Sequence, residues 1–341
     1  MAGLRLVDQT LQLLLLLLVR TPRPDVLLVQ TPPALPTLPL ALFAARVRRS
    51  LLAIDWHNLG HTIVALRLGE GHRAVRATRW VEQHCGSQAD VHLCVSEQMQ
   101  RVLRERWNLR ATAVHDRPAP VFRALDGHER RSVRARFGIG DDTGLVVTAT
   151  SWTPDEELSM LLEAVARLDE RIAVQLRHAP FDRFPKLEFV ITGKGEGRHA
   201  FEKRLAGRSF RFVTIRTDWL PWQDYADLLA AADLGISLHR SSSGIDLPMK
   251  ILDMFGAGLP VCALDYGPAL DELVRVGRNG VLFGSSGELA SLLFDLFRGF
   301  PSGAGRLGGL RRGAREENRH GWDEEWRDTA APVLGIDPRS A

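Results

Sequence analysis

Residues 241–256 read SSSGIDLPMKILDMFG, a polar loop that runs into a helix. Three serines and Gly244 make a small, polar loop. Pro248 stands where a helix opens, because a proline at the first helical position gives up only an N–H that would be unpaired anyway. Asp246 precedes it. Unpaired N–H groups at a helix start attract anions, phosphate above all, and Lys250 adds a positive charge within the first turn. Asp253 follows three residues later and so shares a helix face with Lys250. A carboxylate in that place accepts two hydrogen bonds from a ribose diol, while the lysine and the helix start hold a diphosphate. A helix-entry residue at Asp246 and a surface ion pair between Lys250 and Asp253 would leave the same pattern, so the neighbouring segments have to decide. Gly256 and Gly258 stop the helix, and residues 259–264 (LPVCAL) read as the next buried strand.

Immediately upstream, residues 233–240 (DLGISLHR) form the strand that feeds the loop. Residues 144–150 (GLVVTAT) read as a strand, followed by Ser151, Trp152, Thr153, the acidic pair Asp155 and Glu156, and a helix to about residue 169. Residues 188–197 (EFVITGKGEG) are a strand and a glycine-rich turn carrying Gly193 and Lys194. Residues 210–216 predict a strand, 225–232 a helix, and 277–283 (GRNGVLF) a turn and strand with Gly280 in the turn. A helix over 288–297, a glycine- and arginine-rich spacer and a terminal helix over 322–331 complete this half.

The first half has the same rhythm. Strands are predicted over 25–30, 51–55, 91–96 and 112–116, with helices over 38–48, 75–84 and 97–107. The second strand ends at Asp55-Trp56-His57-Asn58. Residues 123–140 are charged, lack a strong apolar strand and read as the linker. This alternation predicts an α/β protein of two doubly wound domains. The expected division is 1–138, 139–318 and a C-terminal helix and tail over 319–341. Polar residues at the carboxyl ends of parallel strands line the ligand crevice in such sheets.

Composition bounds the function. Of 341 residues 45% are hydrophobic and 25% charged, and the formal charge of +3 implies no strong nucleic-acid field. Ten arginines lie between Arg101 and Arg136, which favours an anionic surface such as a membrane or, equally, a solvated helix face. Cys85, Cys94 and Cys262 are odd in number and lack metal-ligand spacing, the pattern of a reducing compartment. Residues 11–19 (LQLLLLLLV) are too few to span a bilayer, so they read as a helix in the core or on a membrane surface. No D-x-D triplet is present to hold a metal on a nucleotide sugar.

The set ITGKG (191–195), SSSGIDLPMK, LDMFGAGLPV and GRNGVLF resembles the nucleotide-sugar domain of a GT-B glycosyltransferase. Together with DWHN (55–58), LCVS (93–96), DRPAP (116–120) and TSWTPDE (150–156), it resembles the chitobiosyldiphosphodolichol β-mannosyltransferase family, over about residues 11–331. The resemblance implies a GT-B fold, two Rossmann-like domains facing a cleft with the first one incomplete. It implies an inverting transfer of mannose from GDP-mannose to dolichyl-diphosphate-linked chitobiose through a β-1,4 bond. The setting would be the cytosolic face of the endoplasmic reticulum membrane, beside other glycosyltransferases, with no nucleic acid, no cofactor and no metal needed for the donor. Asp253 resembles the acidic residue on the donor ribose. Lys250, Lys194 and the loop Ser241, Ser242, Ser243 and Gly244 resemble the diphosphate contacts, and Gly193 and Asp246 fall among the other donor-binding positions. Ser151, Trp152 and Thr153 would line the donor side, and His239 would approach the sugar. An inverting displacement needs a base near the acceptor hydroxyl. Asp55 and His57 are the candidates, with Asp155 and Glu156 as weaker ones. Relative to the family pattern the chain lacks the membrane anchor, the opening strand with its glycine-rich loop and the next βα units. The alternative expectation is therefore a truncated pseudoenzyme or a non-catalytic, membrane-associated partner of a full-length glycosyltransferase.

Overall fold

A computed structural model describes residues 2–153, 156–179, 184–302, 305–317 and 320–337. The chain forms two compact units, each with its own core. The first comprises Met1–His115, Ser242–Leu247 and Asp323–Ala341; the second comprises Asp116–Ser241 and Pro248–Trp322.

Among the described residues, the first unit holds a four-stranded parallel sheet of β1 (Val26–Thr31), β2 (Leu51–Trp56), β3 (Val91–Cys94) and β4 (Thr112–Ala113), in that spatial order. Val26 stands beside Leu51 and Gln30 beside Asp55, so the carboxyl ends of β1 and β2 are level. Leu52, Ala53 and Ile54 are all buried, which marks a parallel strand covered on both faces rather than one with a wet side. One face packs against Leu38, Leu42, Val81, Met99 and Leu103 from the crossover helices. On the other, Ala53, Leu93 and Val114 cluster with Ala330 and Leu334 of the C-terminal segment. Helix Glu97–Trp107 forms where its caps predict: the Ser96 hydroxyl accepts the Met99 N–H, and Asn108 closes the helix in the left-handed region. The sequence reading missed helix Gly60–Leu68, a short segment.

The leucine-rich start forms helix Ala2–Leu15 and a π turn, Leu16–Arg20. Leu11, Leu15, Leu16 and Val19 are exposed, so the core alternative for this helix is excluded. Among the described residues no helix is long and apolar enough to cross a membrane.

The second unit holds β5 (Gly144–Ala149), β6 (Leu187–Thr192), β7 (Val213–Asp218), β8 (Leu234–Ser237), β9 (Val261–Leu264) and β10 (Gly280–Phe283), all parallel, in the order β10-β9-β8-β5-β6-β7. The chain winds outward from β5 to β7, then returns to β8 on the other side of β5. The order therefore reverses between β5 and β8, and a crevice opens outside the strand ends at such a reversal. Asp233, at the start of β8, is buried among Arg134, Arg130 and Arg311 and accepts the Leu145 N–H at 2.9 Å, which ties the two central strands together at their amino ends. Burial pushes the Arg311 guanidinium down to about 10.

Several expectations are corrected here. The stretch read as linker holds helix Gly127–Arg136, which opens on a capping box between Asp126 and Glu129. The glycine- and arginine-rich spacer holds helix Gly305–Glu316, which buries Leu307, Leu310 and Ala314. Gly277, with φ +81, is the turn glycine before β10, whereas Gly280 already belongs to the strand. Pro248 is the residue before the helix Met249–Gly256 rather than its first member. Helix Leu158–His178 runs well past residue 169.

The turn after β6 is glycine-rich because the backbone after β5 leaves no room for side chains. A Cβ on Gly193 would lie 1.7 Å from the Thr150 carbonyl oxygen, and one on Gly195 2.0 Å from that of Ser151. Gly193 also has φ +146. Gly193→Ala should therefore cost roughly 2–4 kcal/mol in a urea melt. Gly69→Ala, at φ +82 and ψ 149 with nothing within 4 Å of a Cβ, would carry backbone strain without the steric clash and should cost roughly 1–3 kcal/mol.

Candidate functional site

A cavity of about 470 Å³ opens in the second unit at the carboxyl ends of β5 and β6. Ala149, Thr150 and Ser151 leave β5 along one wall, and Thr192 and Gly193 leave β6 along the next. Trp219, Leu220, Trp222 and Tyr225 come from the end of β7 and helix Trp222–Ala231. Lys250 and Asp253 come from helix Met249–Gly256 and complete the lining. The three-residue spacing read from the sequence thus puts both charges into one cavity.

They do not pair with each other. The Lys250 ammonium contacts a carboxylate oxygen of Glu156 and donates to the Ala149 carbonyl at 3.0 Å. The other Glu156 oxygen accepts the Thr150 hydroxyl and the Ser151 N–H. Glu156, whose side chain is 4% exposed, is thus a buried counter-ion that fixes the lysine at the end of β5. This bond set gives Glu156 a positioning role; Asp155 lies outside the described residues.

Asp253 is half-buried and accepts the Tyr225 hydroxyl at 3.4 Å. Burial raises its pKa from the ordinary carboxylate range to about 6, and the tyrosine only partly offsets that. The Tyr225 hydroxyl is pushed up by burial and by the neighbouring carboxylate. The Trp219 and Trp222 indoles at the rim are each 58% exposed, and the Lys194 ammonium lies 6.0 Å from the centre of the Trp219 ring. Such a cavity pairs a half-buried acceptor with flat aromatic surface, which suits a ribose and its base.

The other predicted residues are placed as follows. Trp152 does not line the cavity: its ring is buried against Phe201 in the core, with the backbone at φ +56. Ser151 and Thr153 are exposed just past β5. His239 follows β8, where it bridges to Glu156 through the backbone and sets its ring edge-on to Tyr266. Ser241 stays in the second unit, whereas Ser242, Ser243, Gly244 and Asp246 belong to the first. There Ser242 contacts Asn58 and Thr62, the Ser243 hydroxyl faces Asp246, and the Ile245 carbonyl accepts the Ser96 hydroxyl at 2.7 Å. Asp55 and His57 form a pair at the end of β2, Oδ2 to Nε2 at 2.9 Å, both partly exposed. Among the described residues no group of three or more His, Cys, Asp or Glu could hold a metal ion. The sequence reading missed Tyr225, Trp219 and Trp222. Trp219 precedes helix Trp222–Ala231 and Trp222 and Tyr225 lie in it, a spacing with no chemical signature, and only the fold after β7 brings them beside Asp253.

Residues 143–298 match the family described as Glycosyl transferases group 1, and residues 2–119 the Glycosyl transferase 4-like domain. Anabaena HepE in complex with UDP superposes with a TM-score of 0.66 at 17% identity, over 98% of this chain and 80% of that one. WaaG, a glycosyltransferase of lipopolysaccharide biosynthesis, superposes with a TM-score of 0.62 at 15% identity, over 87% and 81%. Fold and family together define a glycosyltransferase of the GT-B architecture. Among curated relatives, the chitobiosyldiphosphodolichol beta-mannosyltransferase of Arthroderma benhamiae is 40% identical over 98% of this chain and 77% of its own, and the human one 37% identical over 97% and 77%. The Arabidopsis thaliana UDP-glycosyltransferase TURAN is 39% identical over 96% and 80%. The chain belongs to the chitobiosyldiphosphodolichol beta-mannosyltransferase family.

Because the folded state raises the pKa of Asp253, its ionisation opposes folding. Between about pH 4 and pH 6 the unfolded chain releases this proton first, so stability falls as pH rises through that window and stays lower above it. Asp253→Asn should therefore raise the melting temperature at pH 7.5 by several degrees, from up to ~3 kcal/mol of relieved strain on the ionised form, and leave it unchanged at pH 3.5. Differential scanning calorimetry at the two pH values checks this.

Proposed function

We propose that the chain transfers mannose from GDP-mannose to dolichyl-diphosphate-linked chitobiose, with inversion and formation of a β-1,4 bond, at the cytosolic face of the endoplasmic reticulum membrane. The observation that carries this reading is the Asp253–Tyr225 pair inside a cavity at the strand-order reversal of the second unit. In its ionised form Asp253 accepts hydrogen bonds from the ribose diol. Trp219 and Trp222 offer faces for the base. Lys250 and Lys194, with the N–H groups opening helix Met249–Gly256, meet the charge that grows on the departing diphosphate. The relatives named for a dolichyl-diphosphate chitobiose acceptor support the acceptor class. Asp55 orients His57, which takes the proton of the attacking hydroxyl. Membrane attachment is supported by the exposed leucines of the first helix.

A second donor reading, a UDP-sugar, is favoured by the name of the Arabidopsis relative and by the UDP-bound structural neighbour. Thermal shifts with GDP, UDP and ADP separate the two. GDP at a hundredfold excess over its Kd should raise the melting temperature by roughly 5–10 °C, from ~2.7 kcal/mol of binding, with smaller shifts for the others. A response to UDP alone would overturn the GDP assignment. Incubation with GDP-mannose and lipid-linked chitobiose should give a β-linked product, and His57→Ala should lower kcat by about 10²–10⁴-fold. GDP binding without any transfer would instead favour a non-catalytic partner.

A further inference from the structure

Among the described residues no arginine lines the donor cavity, and three of the arginines that crowd the middle of the chain surround a separate cavity in the first unit. This cavity has a volume of about 520 Å³ and is lined by Gln100, Arg101, Arg104, Leu109, Arg110 and Ala111. Its walls are fixed. Arg101 and Arg104 lie one turn apart on helix Glu97–Trp107. At Asn108 the chain enters the left-handed region with φ +55 and reverses, and the Leu109 N–H donates to the Leu103 carbonyl at 3.1 Å. The returning strand is held against the helix by the Gln100 side-chain amide, which donates to the Ala111 carbonyl at 2.8 Å, and by the buried Leu109 side chain. Arg110 is thereby brought back beside Arg101 and Arg104.

No carboxylate lines this cavity. Arg101 has an exposed partner at 3.7 Å in Glu97, a pair that solvent largely screens. Arg104 and Arg110 have no hydrogen-bonded or ionic side-chain partner among the described residues. The carboxyl end of the helix favours cations on its last turn and so accounts for Arg104. It does not account for Arg110, which lies beyond the helix and adds a third like charge. Three guanidinium forks around one concavity, with apolar Leu109 and Ala111 beside them, match the oxygens of a phosphate group, which arginine binds in a bidentate manner.

We propose that this cavity is a binding site for a phosphate-bearing ligand, distinct from the donor cavity of the second unit. Two sources present this chemistry: the headgroup of an anionic phospholipid in a bilayer, and a free diphosphate group. The proposal does not rest on the donor or acceptor assignment, because its readout is binding rather than transfer.

The full chain is tested by co-sedimentation with phosphatidylcholine vesicles with and without phosphatidic acid, and by calorimetric titration with inorganic pyrophosphate. Binding to the phosphatidic acid vesicles alone identifies a lipid headgroup site, and pyrophosphate binding that the Arg104→Ala/Arg110→Ala double variant loses identifies a site for a free diphosphate, whereas pyrophosphate binding that the double variant keeps belongs to the donor cavity. In either case Arg104→Ala and Arg110→Ala should each weaken binding about fivefold, and the double variant roughly twenty- to thirty-fold. Arg106→Ala, on the same helix but outside the cavity, should bind as the parent does. An unchanged melting temperature of the double variant, with its nucleotide response intact, shows that the fold survives. The proposal is overturned if the parent binds neither probe, or if the double variant binds as tightly as the parent.

Discussion

A carboxylate held partly out of water is the feature on which the second unit turns. Asp253 sits on helix Met249–Gly256 with the Tyr225 hydroxyl against it and, among the described residues, no cation paired to it. Burial penalises the ionised form and raises the pKa to about 6, so left alone the charged group opposes folding. A ligand that supplies two hydroxyl donors relieves that cost at the moment of binding. Under the proposed reading, the same burial that destabilises the empty protein is what a ribose diol would exploit, a trade commonly found where function and stability compete.

The rest of the cavity is built so that this carboxylate is the one left unneutralised. Glu156 occupies Lys250, and the Ala149 carbonyl completes the lysine's contacts. The glycines after β6 let two strand ends approach until backbone touches backbone. The strand order places the end of β5 at the reversal against β8, where an open parallel sheet leaves a crevice, with the end of β6 beside it. The choice of Gly193, Lys250 and Asp253 is therefore one constraint expressed at three positions.

Much of this was legible in the sequence, and the failures have physical reasons. Buried parallel strands announce themselves as apolar runs, so GLVVTA, EFVIT and LLAID were found with edges off by a residue or two. Lys250 and Asp253 were found because helical spacing is readable. Their partners were not, because Glu156 and Tyr225 reach them through tertiary folding across 94 and 28 residues. The helix Gly127–Arg136 hid behind its charge, although its capping box at Asp126 and Glu129 was in plain view. The helix Gly305–Glu316 hid behind its glycines, one of which, Gly313, is required because a Cβ would meet the Arg278 carbonyl oxygen at 2.0 Å. Trp152 was assigned to the donor side on motif alone, and its burial in the core shows how a site-flanking residue can serve packing instead.

The central claim is that Asp253 grips the ribose of the donor. Its most direct measurement is a thermodynamic cycle: affinities of GDP and of 2′-deoxy- and 3′-deoxy-GDP for the parent chain and for Asp253→Asn, by isothermal titration at pH 7.5. Each missing hydroxyl should cost the parent chain about tenfold, as the loss of a hydrogen bond to a charged group does, and cost the variant little. An equal loss in both proteins would mean that the diol is held by other atoms, and the assignment of the site would fall.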